Sequence, residues 1–334
     1  MEKFKAYVIE ADGDRVRAGF THLDAEQLDP GDVTVRIDYA SVNYKDALAA
    51  SGRGKIIRRF PCVGGIDAAG VVESSESPRF RPGDAVIVHS HAFGVAHHGA
   101  YAERARVPAE WVNKVPAGMT PLDAITLGVA GYTAALAVDL MELNGTAPAR
   151  GKVLVNGATG GVAGVAIDLL AQRGYEVVAV TSKPAEAQYL RELGAASVIG
   201  SADLDTGSRP LESAQWAAAV DSLGGEPLAG LIRTTQKDGV IASIGNAAGI
   251  ALSTTVMPFI LRGVRLIGVN SDNDVATRAR IWQRLATDLR PKHLARIRHV
   301  ESFDALPRVV DDLIAGRNRG RAVIAVSQPS VGRP

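Results

Sequence analysis

The chain has 334 residues, 46% of them hydrophobic, a net charge of +1 and a single cysteine, Cys62. That length points to two domains with sizeable cores, and the near-neutral balance excludes a global electrostatic pull towards nucleic acid or an anionic membrane. One cysteine excludes a disulfide framework and a structural zinc site built on several thiolates.

At the N-terminus, Met1-Glu2-Lys3-Phe4-Lys5 lacks the apolar core of a signal peptide. No apolar run reads as long enough to span a bilayer, so the cytoplasm is the expected compartment. The first third is β-rich. Val33 to Ile37 alternates, Gly70-Val71-Val72 and Ala85 to Val88 are short apolar runs, and Pro82-Gly83-Asp84 is a turn. Together they predict a small barrel-like domain. Within it, Asn43-Tyr44-Lys45-Asp46 follows a strand and starts a helix. Arg53, Lys55, Arg58 and Arg59 crowd one segment, as a solvated face or as a cradle for phosphates. Asp67 braces a loop or caps a turn. His89, His91, His97 and His98 follow. His-x-His on a strand would put both rings on one face, but no carboxylate or thiolate has matching spacing except the distant Glu103. A pocket-lining or proton-donating role fits His91 and His97 better than a metal site.

From about residue 122 the pattern changes. A helix over Asp123 to Asp139 leads into strand candidates at 153–156, 176–181, 197–199, 217–221, 240–244 and 264–269. Helix candidates lie at 161–173, 184–193, 226–236 and 255–262. Alternation of this kind predicts a doubly wound parallel sheet with ligands at the carboxyl ends of its strands. Helix 275–289 and the strand Arg321 to Val326 read as a return to the first domain, with the active site in the cleft between the domains. The tail Gln328 to Pro334 reads as frayed. Trp111, Trp216 and Trp282 read as core residues.

The most informative segment runs from Val153 to Gly164. An apolar strand enters Asn156-Gly157-Ala158-Thr159-Gly160-Gly161-Val162-Ala163, and a helix follows. Small residues let the backbone approach a phosphate, and the N–H groups at the helix start face the anion. Thr159, Gly160, Gly161 and Val162 are therefore cofactor candidates. About 20 residues later, where an NAD enzyme places a carboxylate, the chain has Thr181-Ser182-Lys183 and no acid. Two hydroxyls and a lysine suit a 2′-phosphate, which favours NADPH. The ordinary alternative makes Ser182 a helix N-cap before Pro184. Asp221, Asn246, Asn270 and Ser271 also fall at strand ends that face the cofactor crevice.

A β-rich domain followed by a nucleotide-binding domain resembles the medium-chain dehydrogenase/reductase superfamily. The segments Asn43-Tyr44-Lys45-Asp46, Gly64-Gly65-Ile66-Asp67, 74–80, 101–107 and Thr254-Thr255-Val256-Met257-Pro258-Phe259-Ile260-Leu261-Arg262 look like the YhdH/YhfP-type quinone oxidoreductases. That group includes NADPH-dependent acrylyl-CoA reductases, and the resemblance covers nearly the whole chain. It implies a GroES-like β-rich catalytic domain over 1–122 and 295–334, and a Rossmann NADPH-binding domain over 123–294. It further implies a zinc-independent, NADPH-dependent reductase of activated C=C bonds acting on a small-molecule enoyl-CoA, enone or quinone. Acryloyl-CoA to propanoyl-CoA is the most implied reaction. A homodimer through the edge strand near 264–269 is expected, with no nucleic-acid or membrane partner and no metal.

By the same resemblance Tyr44 contacts the cofactor near the nicotinamide and donates to the ribose or to the substrate carbonyl. Its alternative is a buried tyrosine satisfied by backbone. Arg321 reaches the active cleft, and Asn43 acts beside them or orients the turn. Apart from the resemblance, the proton is expected from water or from a histidine, with His91 the candidate donor, and Ser201 and Ile260 complete the cofactor set. The chain departs from the family pattern at Gly64, where proline is usual, at Ala163, where glycine is usual, and through the loop 88–100. Two rivals remain: a quinone or enone reductase without CoA recognition, and a noncatalytic NADPH-binding redox sensor.

Overall fold

The computed structural model describes residues 3–327 apart from 14 and 205, so the tail reading at 328–334 lies outside the described residues. The chain divides into two compact units. The first takes the residues up to Val129 with Asp272–Ala286 and those from Leu294 on, and the second takes Ala130–Ser271 with Thr287–His293.

The first unit is built on two sheets. Phe4–Asp12 pairs antiparallel with Arg15–Leu23 and Cys62–Val63. The larger sheet has the order Arg298–Ser302, Arg321–Ala325, Val33–Val42, Asp67–Ser75, Ala85–His89, Val112–Lys114, and Arg104–Val107 also pairs with Val33–Val42. Alternation places Val33, Val35 and Ile37 in the core, all at most 1% exposed, packed with Phe4, Val63 and Tyr101. The expected runs at 33–37 and 85–88 open the strands Val33–Val42 and Ala85–His89, 70–72 is the middle of Asp67–Ser75, and the strand expected over Arg321 to Val326 ends at Ala325. Gly70 is required where Asp67–Ser75 crosses its neighbour, because a Cβ there would lie 1.9 Å from the Arg36 carbonyl oxygen.

The helix Val275–Ala286 belongs to the first unit, in line with the reading of 275–289 as a return to the first domain, though the 123–294 span places it in the second. Its Arg278 Nη2 donates to the His89 carbonyl (2.9 Å) and its Trp282 Nε1 donates to His89 Nε2 (3.1 Å). The helix Pro121–Leu143 corrects a second expectation. It is long and apolar enough to cross a membrane by length and composition, but 89% of its apolar window is buried inside the protein. It is also broken at Gly128, whose φ of 51° is not helical.

The second unit holds one six-stranded parallel sheet in the order Ser197–Gly200, Val177–Thr181, Val153–Val155, Trp216–Asp221, Thr235–Ser243, Arg265–Gly268. Numbered along the chain, that is 3-2-1-4-5-6, the Rossmann arrangement, with its switch point at Val153–Val155. The three central strands Val177–Thr181, Val153–Val155 and Trp216–Asp221 are buried at every position, as strands covered on both faces must be. Helix boundaries differ in detail. The 184–193 helix opens as a 3₁₀ turn, Pro184–Glu186, before Ala187–Glu192, and the 226–236 helix ends at Thr234. The 255–262 helix begins at Met257. No helix fills the crossover from Ser197–Gly200 to Trp216–Asp221 among the described residues.

Candidate active site

In the second unit the glycine turn is a shaped anion site. Gly157 has φ 58°, a left-handed conformation that glycine supplies without strain, and the Gly160 N–H closes the turn onto the Gly157 carbonyl (2.8 Å). Gly160 is the N-cap of the helix Gly161–Gln172 and offers no side chain to cap it. The first backbone bond of that helix is Gly164 N–H to the Gly160 carbonyl (2.9 Å), so the N–H groups of Gly161, Val162 and Ala163 point off the helix start. Thr159 is buried beside them.

Asp221 is a correction. It is fully buried and leaves no exposed surface at the crevice: it takes the Asn156 amide (2.5 Å) and the N–H groups of Leu223 and Gly224 (3.3 and 3.0 Å). Asn156 in turn accepts the Ser222 N–H (2.7 Å). The pair ties the ends of two central strands and holds the turn in place. Burial raises the Asp221 pKa against those bonds.

At the neighbouring strand end, Thr181 is buried and its Oγ1 accepts the Lys183 N–H (3.0 Å). Lys183, not Ser182, occupies the N-cap of the 3₁₀ turn, so the capping alternative for Ser182 fails and its side chain stands exposed. Burial lowers the pKa of the Lys183 ammonium, opposed by Glu186. Ser201 joins this group, because Thr181 and Gly200 are in register and the Ser201 N–H reaches the Thr181 carbonyl (2.9 Å). Asn246 follows Thr235–Ser243, and Asn270 and Ser271 follow Arg265–Gly268, all on the carboxyl side of the sheet. Ile260 sits on the helix Met257–Arg262 and is 69% exposed.

In the first unit the structure gathers Asn43, Asp67 and Arg321, and adds Ser41, Asp46 and Thr126. The Arg321 guanidinium donates to Asn43 Oδ1 (2.7 Å), Ser41 Oγ (2.5 Å), Asp67 Oδ2 (3.3 Å) and the Thr126 carbonyl (3.1 Å). Asp67 also accepts the Ser41 hydroxyl (2.5 Å), the Asn43 amide (3.1 Å) and the Val129 N–H (2.9 Å). Asn43 is the N-cap of the helix Tyr44–Ala50, in a capping box with Asp46. Asp46 accepts the Asn43 N–H (2.8 Å), its side-chain amide (3.0 Å) and the Ile66 N–H (3.0 Å). Burial and the adjacent Asp67 charge push the Asp46 pKa up to about 7 in spite of those donors.

Tyr44 is 44% exposed, so the reading of a buried, backbone-satisfied tyrosine does not hold. Arg321 is only 2% exposed; its guanidinium lies inside this cluster. The sequence reading missed Ser41, Asp46 and Gly128. The Asn43-x-x-Asp46 spacing is a capping-box signal for one of them. Nothing local marks the other two.

The histidines are held by ordinary partners. Ser90 and His91 have positive φ, so the strand stops at His89 and the one-face geometry required for a paired ligand is lost. His89 contacts Ser90 Oγ (3.0 Å) and Trp282, and burial holds its pKa well below the usual value. His97 Nε2 contacts the Arg106 carbonyl (2.7 Å), and His98 Nδ1 accepts the Val63 N–H (3.1 Å). His91 stacks on Trp111 (5.3 Å between centroids) and pairs with Asp272 (2.9 Å); burial lowers its pKa. Trp216 and Trp282 are core residues, whereas Trp111 is half-buried under these rings. Among the described residues no group of three or more His, Cys, Asp or Glu is placed to hold a metal. Cys62 is buried, its thiol pushed up to about 12. Of the four clustered cations, Arg59 pairs with Asp29 (2.5 Å), while Arg53, Lys55 and Arg58 are exposed.

Sequence profiles for the alcohol dehydrogenase GroES-like domain and for zinc-binding dehydrogenase match residues 29–117 and 161–287. The acrylyl-CoA reductase AcuI of Ruegeria pomeroyi is 40% identical over 97% of this chain and 99% of its own length. The chain belongs to the medium-chain dehydrogenase/reductase superfamily, in its YhdH/YhfP-type group. The putative quinone oxidoreductase YhfP of Bacillus subtilis is 41% identical over 96% of this chain and 98% of its own. Its NAD-bound crystal structure superposes with a TM-score of 0.94. The yhdH oxidoreductase of Salmonella enterica, solved in complex with NADP, has a TM-score of 0.94 at 41% identity and covers 97% of this chain and 100% of that one. Members of this group have thus been solved with NADP and with NAD bound, and the GroES-like plus Rossmann architecture of this chain is that of the group.

Proposed function

We propose that the protein is an NADPH-dependent reductase of activated carbon–carbon double bonds, with acryloyl-CoA reduction to propanoyl-CoA as its main reaction. The carrying observation is near full-length similarity to an acrylyl-CoA reductase, together with an acid-free strand end at Thr181-Ser182-Lys183. The residues fit the coenzyme. Gly161, Val162 and Ala163 offer N–H groups to its pyrophosphate, and Ser182, Lys183 and Ser201 offer donors to a 2′-phosphate. When bound, NADPH supplies the hydride for the β-carbon of the acceptor, and water or His91 supplies the proton that the α-carbon takes up.

The chain's own residues position the acceptor. Tyr44 offers its hydroxyl to the carbonyl oxygen where negative charge gathers, and Asn43 fixes the turn that presents it. Arg53, Lys55 and Arg58 are the cations available to CoA phosphates. Polarisation by hydrogen bonds fits a zinc-independent reaction, since His89, His97 and His98 serve packing and Cys62 stays a thiol.

A cytoplasmic homodimer completes the reading. Its contact is the sheet edge at Arg265–Gly268, flanked by exposed Ile250, Leu252, Val256, Met257, Ile260 and Leu261. The 41% identity to YhfP favours a second reading, quinone reduction without CoA recognition. An NADPH-oxidation screen across acryloyl-CoA, crotonyl-CoA, small enones and quinones separates the two. Turnover that depends on the CoA moiety supports the first reading, and equal turnover of small quinones supports the second.

A further inference from the structure

We propose that Asp67 and Arg321 are positioning residues that act on the reaction through Asn43 and Tyr44, without touching the substrate. This rests on the reading of Tyr44 as the donor to the acceptor carbonyl.

Four observations carry it. First, both groups are inaccessible: Asp67 is 0% and Arg321 2% exposed, while Tyr44 is 44% exposed. Second, the cluster leaves Asn43 one orientation. Its carbonyl oxygen takes Arg321 Nη1 (2.7 Å), and its amide donates to Asp67 (3.1 Å) and Asp46 (3.0 Å). A flipped amide would set NH₂ against guanidinium and oxygen against two carboxyl groups. Third, Asn43 is the N-cap and Tyr44 the first residue of its helix, so fixing Asn43 fixes the backbone from which the phenol projects. Fourth, the fold makes room for the cluster. The break at Gly128 brings the Val129 N–H onto Asp67 (2.9 Å), and a Cβ at Gly128 would lie 2.2 Å from Asp67 Oδ2 and 2.8 Å from Arg321 Nη2.

The Asp67–Arg321 pair is therefore more than a buried ion pair stitching two strands. Its charges are placed where they set the amide that begins the Tyr44 helix. A group acting in this way contributes through geometry at the acceptor, and its loss is felt in turnover more than in coenzyme binding.

The test is a double-mutant cycle of Asp67→Asn and Tyr44→Phe. Steady-state reduction of acryloyl-CoA is followed, or of 1,4-benzoquinone if only quinones turn over. NADPH affinity by fluorescence titration and circular dichroism are measured on every variant. Each single substitution is expected to lower kcat by about tenfold, with NADPH affinity within about twofold of the parent. The double variant is expected to be no more than about threefold below either single one, because both remove the same contribution. Losses that multiply to about a hundredfold overturn the proposal and leave the donor role of Tyr44 standing. A Tyr44→Phe protein with unchanged kcat sinks the donor reading and this inference together. If Asp67→Asn does not fold, the same cycle with Ser41→Ala decides, since it removes one hydroxyl from the cluster and keeps both charges. Non-additivity with Tyr44→Phe supports the proposal, and additivity overturns it.

Discussion

Asp46 shows what burial does to a single carboxyl group in this chain. Its pKa is raised in the folded protein to about 7. The folded state therefore binds a proton that the unfolded state releases, from about pH 4 upward. The sign follows from linkage: stability from this group is full below the unfolded pKa and is lost as the pH rises through 7. Asp46→Asn lacks that proton-linked loss. Urea unfolding of both proteins at pH 5 and pH 7 should show the parent's advantage over the variant shrinking with rising pH. A gap that stays constant contradicts the account. Gly128 makes a different demand. Alanine there meets both a positive φ and the Asp67 carboxylate, and Gly128→Ala should cost about 2–3 kcal/mol, read as a lowered urea midpoint.

At the scale of elements, the parallel sheet was legible because its signals are local. Continuous apolar runs mark Val153–Val155, Val177–Thr181 and Trp216–Asp221, and the glycine turn marks the switch point. Helix boundaries slipped by a few residues where local turn chemistry competes, as where Thr181 takes the Lys183 N–H. The buried cluster was not legible, because it joins residues far apart in sequence: Ser41 and Arg321 are 280 positions apart; outside the cluster, His89 and Trp282, 193 apart, meet in the same hidden way. No periodicity reports such a contact. The resemblance implies that Arg321 reaches the active cleft, whereas the fold buries its guanidinium in the cluster at 2% exposure. The strand end that holds Lys183 has its own test. Lys183→Ala should weaken NADPH about tenfold while NADH binding changes less than about twofold, measured by fluorescence titration. Equal weakening of both would place the 2′-phosphate elsewhere.

At the scale of the molecule, two units with separate cores divide the work. In the proposed reading the second presents the ends of a parallel sheet to a dinucleotide, and the first presents Tyr44 on a helix held by a buried polar cluster. Exposed apolar side chains flank the Arg265–Gly268 edge, the contact proposed for a homodimer. Ile260→Asp should convert a dimer to a monomer in sedimentation velocity, and a parent that is itself monomeric removes the assignment. Exposed cations give the substrate test. Arg53→Ala with Arg58→Ala should raise KM for acryloyl-CoA about fivefold and leave KM for a small quinone unchanged. The pairing of Arg59 with Asp29 keeps Arg59 out of that experiment.

The most direct test of the central claim is the ratio of kcat/KM for NADPH over NADH, with acryloyl-CoA as acceptor and propanoyl-CoA identified as product. The account predicts a preference for NADPH of about a hundredfold, as expected where serine and lysine meet a phosphate and no carboxylate holds a ribose hydroxyl. Equal efficiency with NADH, or no propanoyl-CoA from either coenzyme, would contradict it.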